Sequence, residues 1–197
     1  MNHFVRQGRL TGILFLLPLL AYGLGTALLD KAISQQRPDL LWPAALLVSL
    51  NAVMVIMLGL LLFPVLKRGS LTVSVLYFLS RLLEAVLLLT GLIALLKAAH
   101  HMESMALARD LHFLCYQVAM IALGFGSVFC CRLWLHMGHL PSWLAMLGLV
   151  AYVLLALGAV GELLGFPVGT WMSLPGGVFE IGLGLWLIVK GWRQPVL

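Results

Sequence analysis

Eight side chains stand out as strongly polar or ionisable inside otherwise apolar runs of this 197-residue chain: Asn51, Arg81, Glu84, His112, Tyr116, Gln117, Glu162 and Glu180. An ionisable group at the centre of a bilayer costs at least ~2.5–3.5 kcal/mol on insertion scales, so such a group faces a protein interior, finds a partner or serves a function. Spacing already pairs some of them. Arg81 and Glu84 are three apart, and His112 and Tyr116 four apart, so on a helix each pair shares a face. Arg81, Glu84, Glu162 and Glu180 together carry one positive and three negative formal charges. Burying all of them ionised is costly, and at least one carboxyl is expected to keep its proton. That is the chemistry of a proton relay, a cation site or a polar ligand pocket. The structural alternative is an internal Arg81–Glu84 pair, with His112 and Asn51 as hydrogen-bonding glue between helices worth ~0.6–2 kcal/mol each.

Other constellations are weaker. His100-His101 with Glu103 reads as a solvated loop cluster, and His136 and His139 as interfacial. No H-E-x-x-H pattern exists, so no metal site is expected. Ser80 beside Arg81 has no nucleophile elbow around it. In Leu174-Pro175-Gly176-Gly177-Val178-Phe179-Glu180, a proline and two glycines precede an acid. They can break a membrane helix and free backbone groups to line a cavity, or the proline can simply start the helix.

The elements that must position these groups follow from composition. Hydrophobic residues make up 62% of the chain, charged residues 10%, and mean hydropathy is +1.08. Soluble domains average roughly 45–50% apolar and ~25% charged, so this is an integral membrane protein. Six apolar runs of spanning length lie at 10–29, 40–66, 71–96, 107–133, 142–164 and 172–189. The expected fold is all-α: a single domain over 1–197, a polytopic bundle of six transmembrane helices. The loops fall on two sides. Arg6, Arg9, Lys67, Arg68, Arg132, Lys190 and Arg193 lie on the side of the termini, and Lys31, Arg37, Lys97 and Arg109 on the other. The excess of basic residues places both termini in the cytoplasm. Trp42 and Trp171 fall at outer ends, and Trp134, Trp143 and Trp192 at inner ends, as an aromatic belt would have them. With a rise of ~1.5 Å per residue, Asn51, Glu180, His112, Glu84 and Arg81 all fall about 8–14 Å below the outer face. Four helices thus converge on a polar pocket open to the outside, with Glu162 and Asp110 at its rim.

Gly8–Gly12 and Gly161–Gly165 have the G-x-x-x-G spacing, and Gly124-x-Gly126 and Gly182-x-Gly184 add small faces. Their expected use is packing within the bundle, with homo-oligomerisation through the same faces as the alternative. Cys115, Cys130 and Cys131 lie in one apolar run with no C-x-x-C pair, and read as small hydrophobes, with palmitoylation near a helix end the alternative. No Lys/Arg-rich run or stacking motif points to nucleic acid. The apolar run after Arg6 and Arg9 resembles a signal peptide, but its length reads as a retained first helix.

Five stretches, in order along nearly the whole chain, carry a family resemblance. They are Arg9-Leu10-Thr11-Gly12-Ile13-Leu14, Arg81-Leu82-Leu83-Glu84-Ala85, Leu111-His112-x-x-x-Tyr116, Leu140-Pro141-x-x-Leu144, and Glu180 followed by Leu185-Trp186-Leu187-Ile188-Val189-Lys190-Gly191. Together they resemble the DUF4386 family. The resemblance implies a prokaryotic multi-pass protein of the inner membrane with no established activity, and matches the family's arginine, histidine and late acid to Arg81, His112 and Glu180.

The preferred expectation is a pocket that binds a small polar or amphipathic ligand, or moves a proton or cation. Arg81 would be the anion anchor or internal counter-ion, Glu180 the titrating acid, and His112 with Tyr116 a hydrogen-bonding wall; Glu84, Asn51 and Glu162 complete the set. Two other classes stand beside it: an intramembrane enzyme acting on lipid, with His112 and the acids as general acid and base, and a non-catalytic partner or regulator of another membrane protein. The residues identify no cofactor.

Overall fold

Without water in the hydrocarbon core, each apolar run must satisfy its backbone groups internally, and each folds as one helix. The computed structural model describes residues 3–101 and 104–192. Its helices are α1 (His3–Ser34), α2 (Leu41–Lys67), α3 (Leu71–His101), α4 (Met105–Met137), α5 (Ser142–Leu163) and α6 (Gly169–Lys190), with a 3-10 turn at Pro38–Leu40. All six are long and apolar enough to cross a membrane, and no strand occurs among the described residues. Glu103 and Arg193 lie outside the described residues, as does the side chain of His101.

The helices overrun the apolar stretches that predict them. α1 continues past Asp30 and Lys31 to Ser34, and α3 past Lys97 to His101. Extending a formed helix costs little per residue, and charged residues are no obstacle once it reaches water. True ends are set by caps. The Leu107 N–H donates to Ser104 Oγ at 3.4 Å where α4 begins. Gly138, at φ +64°, closes α4 with its N–H on the Trp134 carbonyl.

Each helix packs on its neighbours in sequence, and α1 packs on α6, so the six form a closed ring. Glycines make the approaches close. A Cβ on Gly12 would lie 2.5 Å from the Gly184 carbonyl, and one on Gly8 2.7 Å from Gly191 Cα, which clamps α1 to α6 near the end of the bundle where α1 starts and α6 ends. The two G-x-G pairs serve two neighbours each. Residues two apart are rotated by about 200° around a helix. Gly124 accordingly meets α5 at Tyr152 and Ala156 while Gly126 meets α3 at Ser80; Gly184 meets α1 while Gly182 turns toward Leu144 of α5. These small faces are occupied within one copy of the chain. Gly161–Gly165 is no helix face, since Gly165 lies past the end of α5 at φ +88°.

The perimeter is apolar, with side chains such as Leu20, Leu46, Leu60 and Val189 well exposed, and it is the surface that meets the bilayer. Trp42, Trp143 and Trp171 are exposed near helix ends. Trp134 and Trp192 are not part of such a belt. Both are buried, 5.7 Å apart between ring centroids, with the buried His139 ring 6.2 Å from Trp192. Trp134 faces the ring interior, so it packs as core rather than at the lipid interface. Cys130 and Cys131 are fully buried in the same core.

Candidate functional site

α3 carries the centre of the site. Tyr77, Arg81 and Glu84 follow one another at i, i+4 and i+7, and so project from one face, into the ring. Arg81 Nε donates to the Tyr77 hydroxyl at 2.9 Å, and its Nη1 to Glu84 Oε2 at 3.0 Å. Its guanidinium carbon lies 5.1 Å from the Tyr77 ring centroid. All three side chains are buried, and Arg81 Nη2 is buried with no hydrogen-bond partner. Gly59 of α2 makes room for this arrangement, since a Cβ there would sit 3.3 Å from Arg81 Cβ.

α5 and α6 supply the opposing wall. Tyr152 is fully buried and its hydroxyl donates to Glu180 Oε1 at 2.8 Å. Glu180 is the twelfth of the 22 residues of α6, Tyr152 the eleventh of 22 in α5, and Glu84 the fourteenth of 31 in α3. The polar layer therefore lies at mid-height of the bundle.

Between these walls is a cavity of about 430 Å³ lined by all six helices. Asn51, Arg81, Glu84, Tyr116 and Glu180 all line it, and so does Tyr152. The rest of the wall is mainly apolar, including Phe15, Leu58, Leu88, Met120 and Leu155. Tyr22 and Tyr116 stack near parallel, 6.0 Å between centroids, along its side. A second cavity of about 300 Å³ adjoins it toward the α5–α6 turn, sharing Tyr116, Met120, Leu155 and Ser173, with Gln117 and Glu162 in its wall.

Two expected members stand apart from the central layer. Glu162 Oε1 accepts the Gly169 N–H at 2.7 Å and so caps the start of α6. His112 lines neither cavity. Its ring lies against α3, where a Cβ on Gly91 would be 2.8 Å from Nδ1, and Gly91 is seven residues, about 10 Å, beyond Glu84. Asp110 is exposed and lines neither cavity. Tyr77 and Tyr152 are the polar partners that reading the chain alone overlooks. The i, i+4 spacing to Arg81 signals Tyr77, whereas Tyr152 carries no local signal, its partner being on another helix. Pro175 neither breaks nor begins α6, which runs through it from Gly169. Gly176 and Gly177 do line the cavity, and a Cβ on either would meet nothing within 4 Å.

The chemical inventory is a buried ion pair that neutralises itself, one further carboxyl held by a tyrosine, and an unused guanidinium donor. Among the described residues no group of three His, Cys, Asp or Glu is gathered to hold a metal. The chain is thus an integral membrane protein, a ring of six spanning helices around a partly polar cavity. Residues 10–191 match the family model described as "Domain of unknown function (DUF4386)", and the chain belongs to that family. No curated protein and no solved structure matches it.

Proposed function

We propose that this chain is an intramembrane binding protein for a small amphipathic molecule, seated in the central cavity with its polar end at Arg81, Glu84 and Glu180 and its apolar body along the leucine, phenylalanine and methionine wall. The observation that carries the reading is that six helices leave open a cavity of about 430 Å³ whose otherwise mainly apolar wall carries Arg81 and Glu84 of α3 and Glu180 of α6. Purely structural charges are better served by close packing, because voids forfeit contact energy on every wall. Asn51 and Tyr116 belong to the binding wall in this reading, Glu162 to the adjoining second cavity, and His112 to the support of α4 on α3. The membrane is the prokaryotic inner membrane, with the distal end facing outward.

The test is a thermal-shift and titration screen of purified protein against anionic, cationic and zwitterionic amphiphiles. Binding that is weakened but still measurable in Glu180→Gln, with the variant still monodisperse and helical, is the expected result. No amphiphile bound by the unaltered chain, or affinities unchanged by Glu180→Gln, would overturn it.

A further inference from the structure

The charges around the cavity narrow the class of occupant. One arginine stands against two glutamates, and Glu84 is already spent on Arg81. What is left over is a donor, the buried and unpartnered Arg81 Nη2, and an acceptor, the Glu180 carboxyl, whose one hydrogen bond in the site comes from Tyr152. A simple anion would answer Arg81 but face Glu180. A simple cation would answer Glu180 and leave Arg81 Nη2 unsatisfied. A head group carrying both a negative acceptor and an N–H-bearing cation satisfies both, and adds no net charge to a buried site.

The cavity also borders the outer surface of the ring along α6. α1 and α6 are clamped together at Gly12 and Gly184, but Gly176 and Gly177, seven or eight residues and about 11 Å further along α6, have open space beside them. Leu174, Val178 and Ile181 line the cavity and are also 53%, 62% and 45% exposed on the outside. The cavity wall at this level is therefore also the lipid-facing surface. Two adjacent glycines in a helix cost roughly 1 kcal/mol each relative to alanine. Here they leave open space in the cavity wall.

We infer that the cavity takes the head group of an aminophospholipid, phosphate toward Arg81 and ammonium toward Glu180, with its acyl chains leaving sideways into the bilayer through a slot between α1 and α6. This rests on the binding function proposed above. The experiment titrates the full-length protein in maltoside micelles with dihexanoyl phosphatidylethanolamine, phosphatidylcholine and phosphatidylglycerol. Phosphatidylethanolamine should bind at least tenfold tighter than phosphatidylglycerol, with phosphatidylcholine, which has the charge but no N–H, between them. Glu180→Gln should erase that preference. The charge-neutral double variant Arg81→Ala/Glu84→Ala, which strands no ion, should abolish binding. Gly177→Leu should weaken the dihexanoyl lipid at least tenfold while sparing tail-less glycerophosphoethanolamine, with Gly177→Ala as the mild control. Phosphatidylglycerol binding as tightly as phosphatidylethanolamine, or a preference that survives Glu180→Gln, would overturn the head-group assignment. Unchanged dihexanoyl affinity in Gly177→Leu would overturn the slot. If oleate or tetraphenylphosphonium binds and no phospholipid does, the binding function stands and this assignment falls. If nothing binds, both fall.

Discussion

Losing Arg81 alone and losing it together with Glu84 should have opposite consequences. The pair is buried and 3.0 Å long, so Arg81→Met leaves an uncompensated buried carboxylate, a loss of about 3–5 kcal/mol by the usual cost of breaking a buried pair. Arg81→Met/Glu84→Leu removes both charges and fills the space, and should return stability to within about 1 kcal/mol of the parent or above it. Chemical denaturation in mixed micelles measures both, and equal losses in the single and double variants would show that the pair does more than neutralise itself. Tyr152→Phe deletes the donor to Glu180 and should cost about 1–2 kcal/mol, the range for a bond to an ionisable acceptor. At this scale the chain is only half readable. Arg81 and Glu84 announce each other through their spacing. Glu180 and Tyr152 are 28 residues apart and meet only because α5 and α6 are neighbours.

The helices themselves were legible because hydrocarbon forbids anything else, and their ends were not, because an apolar run stops where water begins rather than where the helix does. The ring order is partly encoded in the G-x-G pairs, whose two glycines face opposite flanks, but nothing local says which helix each flank will meet. That dependence on the partner makes glycines of one type respond oppositely. Gly12→Ala forces a Cβ against the Gly184 carbonyl and should destabilise the α1–α6 contact by about 1–3 kcal/mol. Gly177→Ala enters open space in the same pair of helices and should stabilise α6 by up to about 1 kcal/mol through its better helix propensity. Melting temperatures of the two variants should therefore move in opposite directions. Two shifts of the same sign would mean that the close approach at Gly12 and the open space at Gly177 do not both hold.

For the molecule as a whole, the closed ring puts the start of α1 beside the end of α6, as the approach of Gly8 to Gly191 shows, so these two helix ends share one end of the bundle. That end also carries the α2–α3 and α4–α5 turns, and with them the larger share of arginine and lysine. Basic residues near helix ends are retained on the cytoplasmic side during insertion, so the turns at the opposite end should face outward. The second cavity, walled by Glu162, Gly169 and Thr170, lies at that opposite end, and orientation therefore decides which compartment adjoins the site. Gln35, Phe166 and Ser142 are exposed, the first two at the distal end and the third at the end where α1 starts and α6 ends. With the three native cysteines buried, Gln35→Cys and Phe166→Cys should react with a membrane-impermeant maleimide in intact cells, and Ser142→Cys only after permeabilisation. The reverse pattern would turn the distal cavity toward the cytoplasm. Lateral entry through the α1–α6 slot would survive that reversal, because the slot opens into lipid, and only the leaflet that supplies the ligand would change.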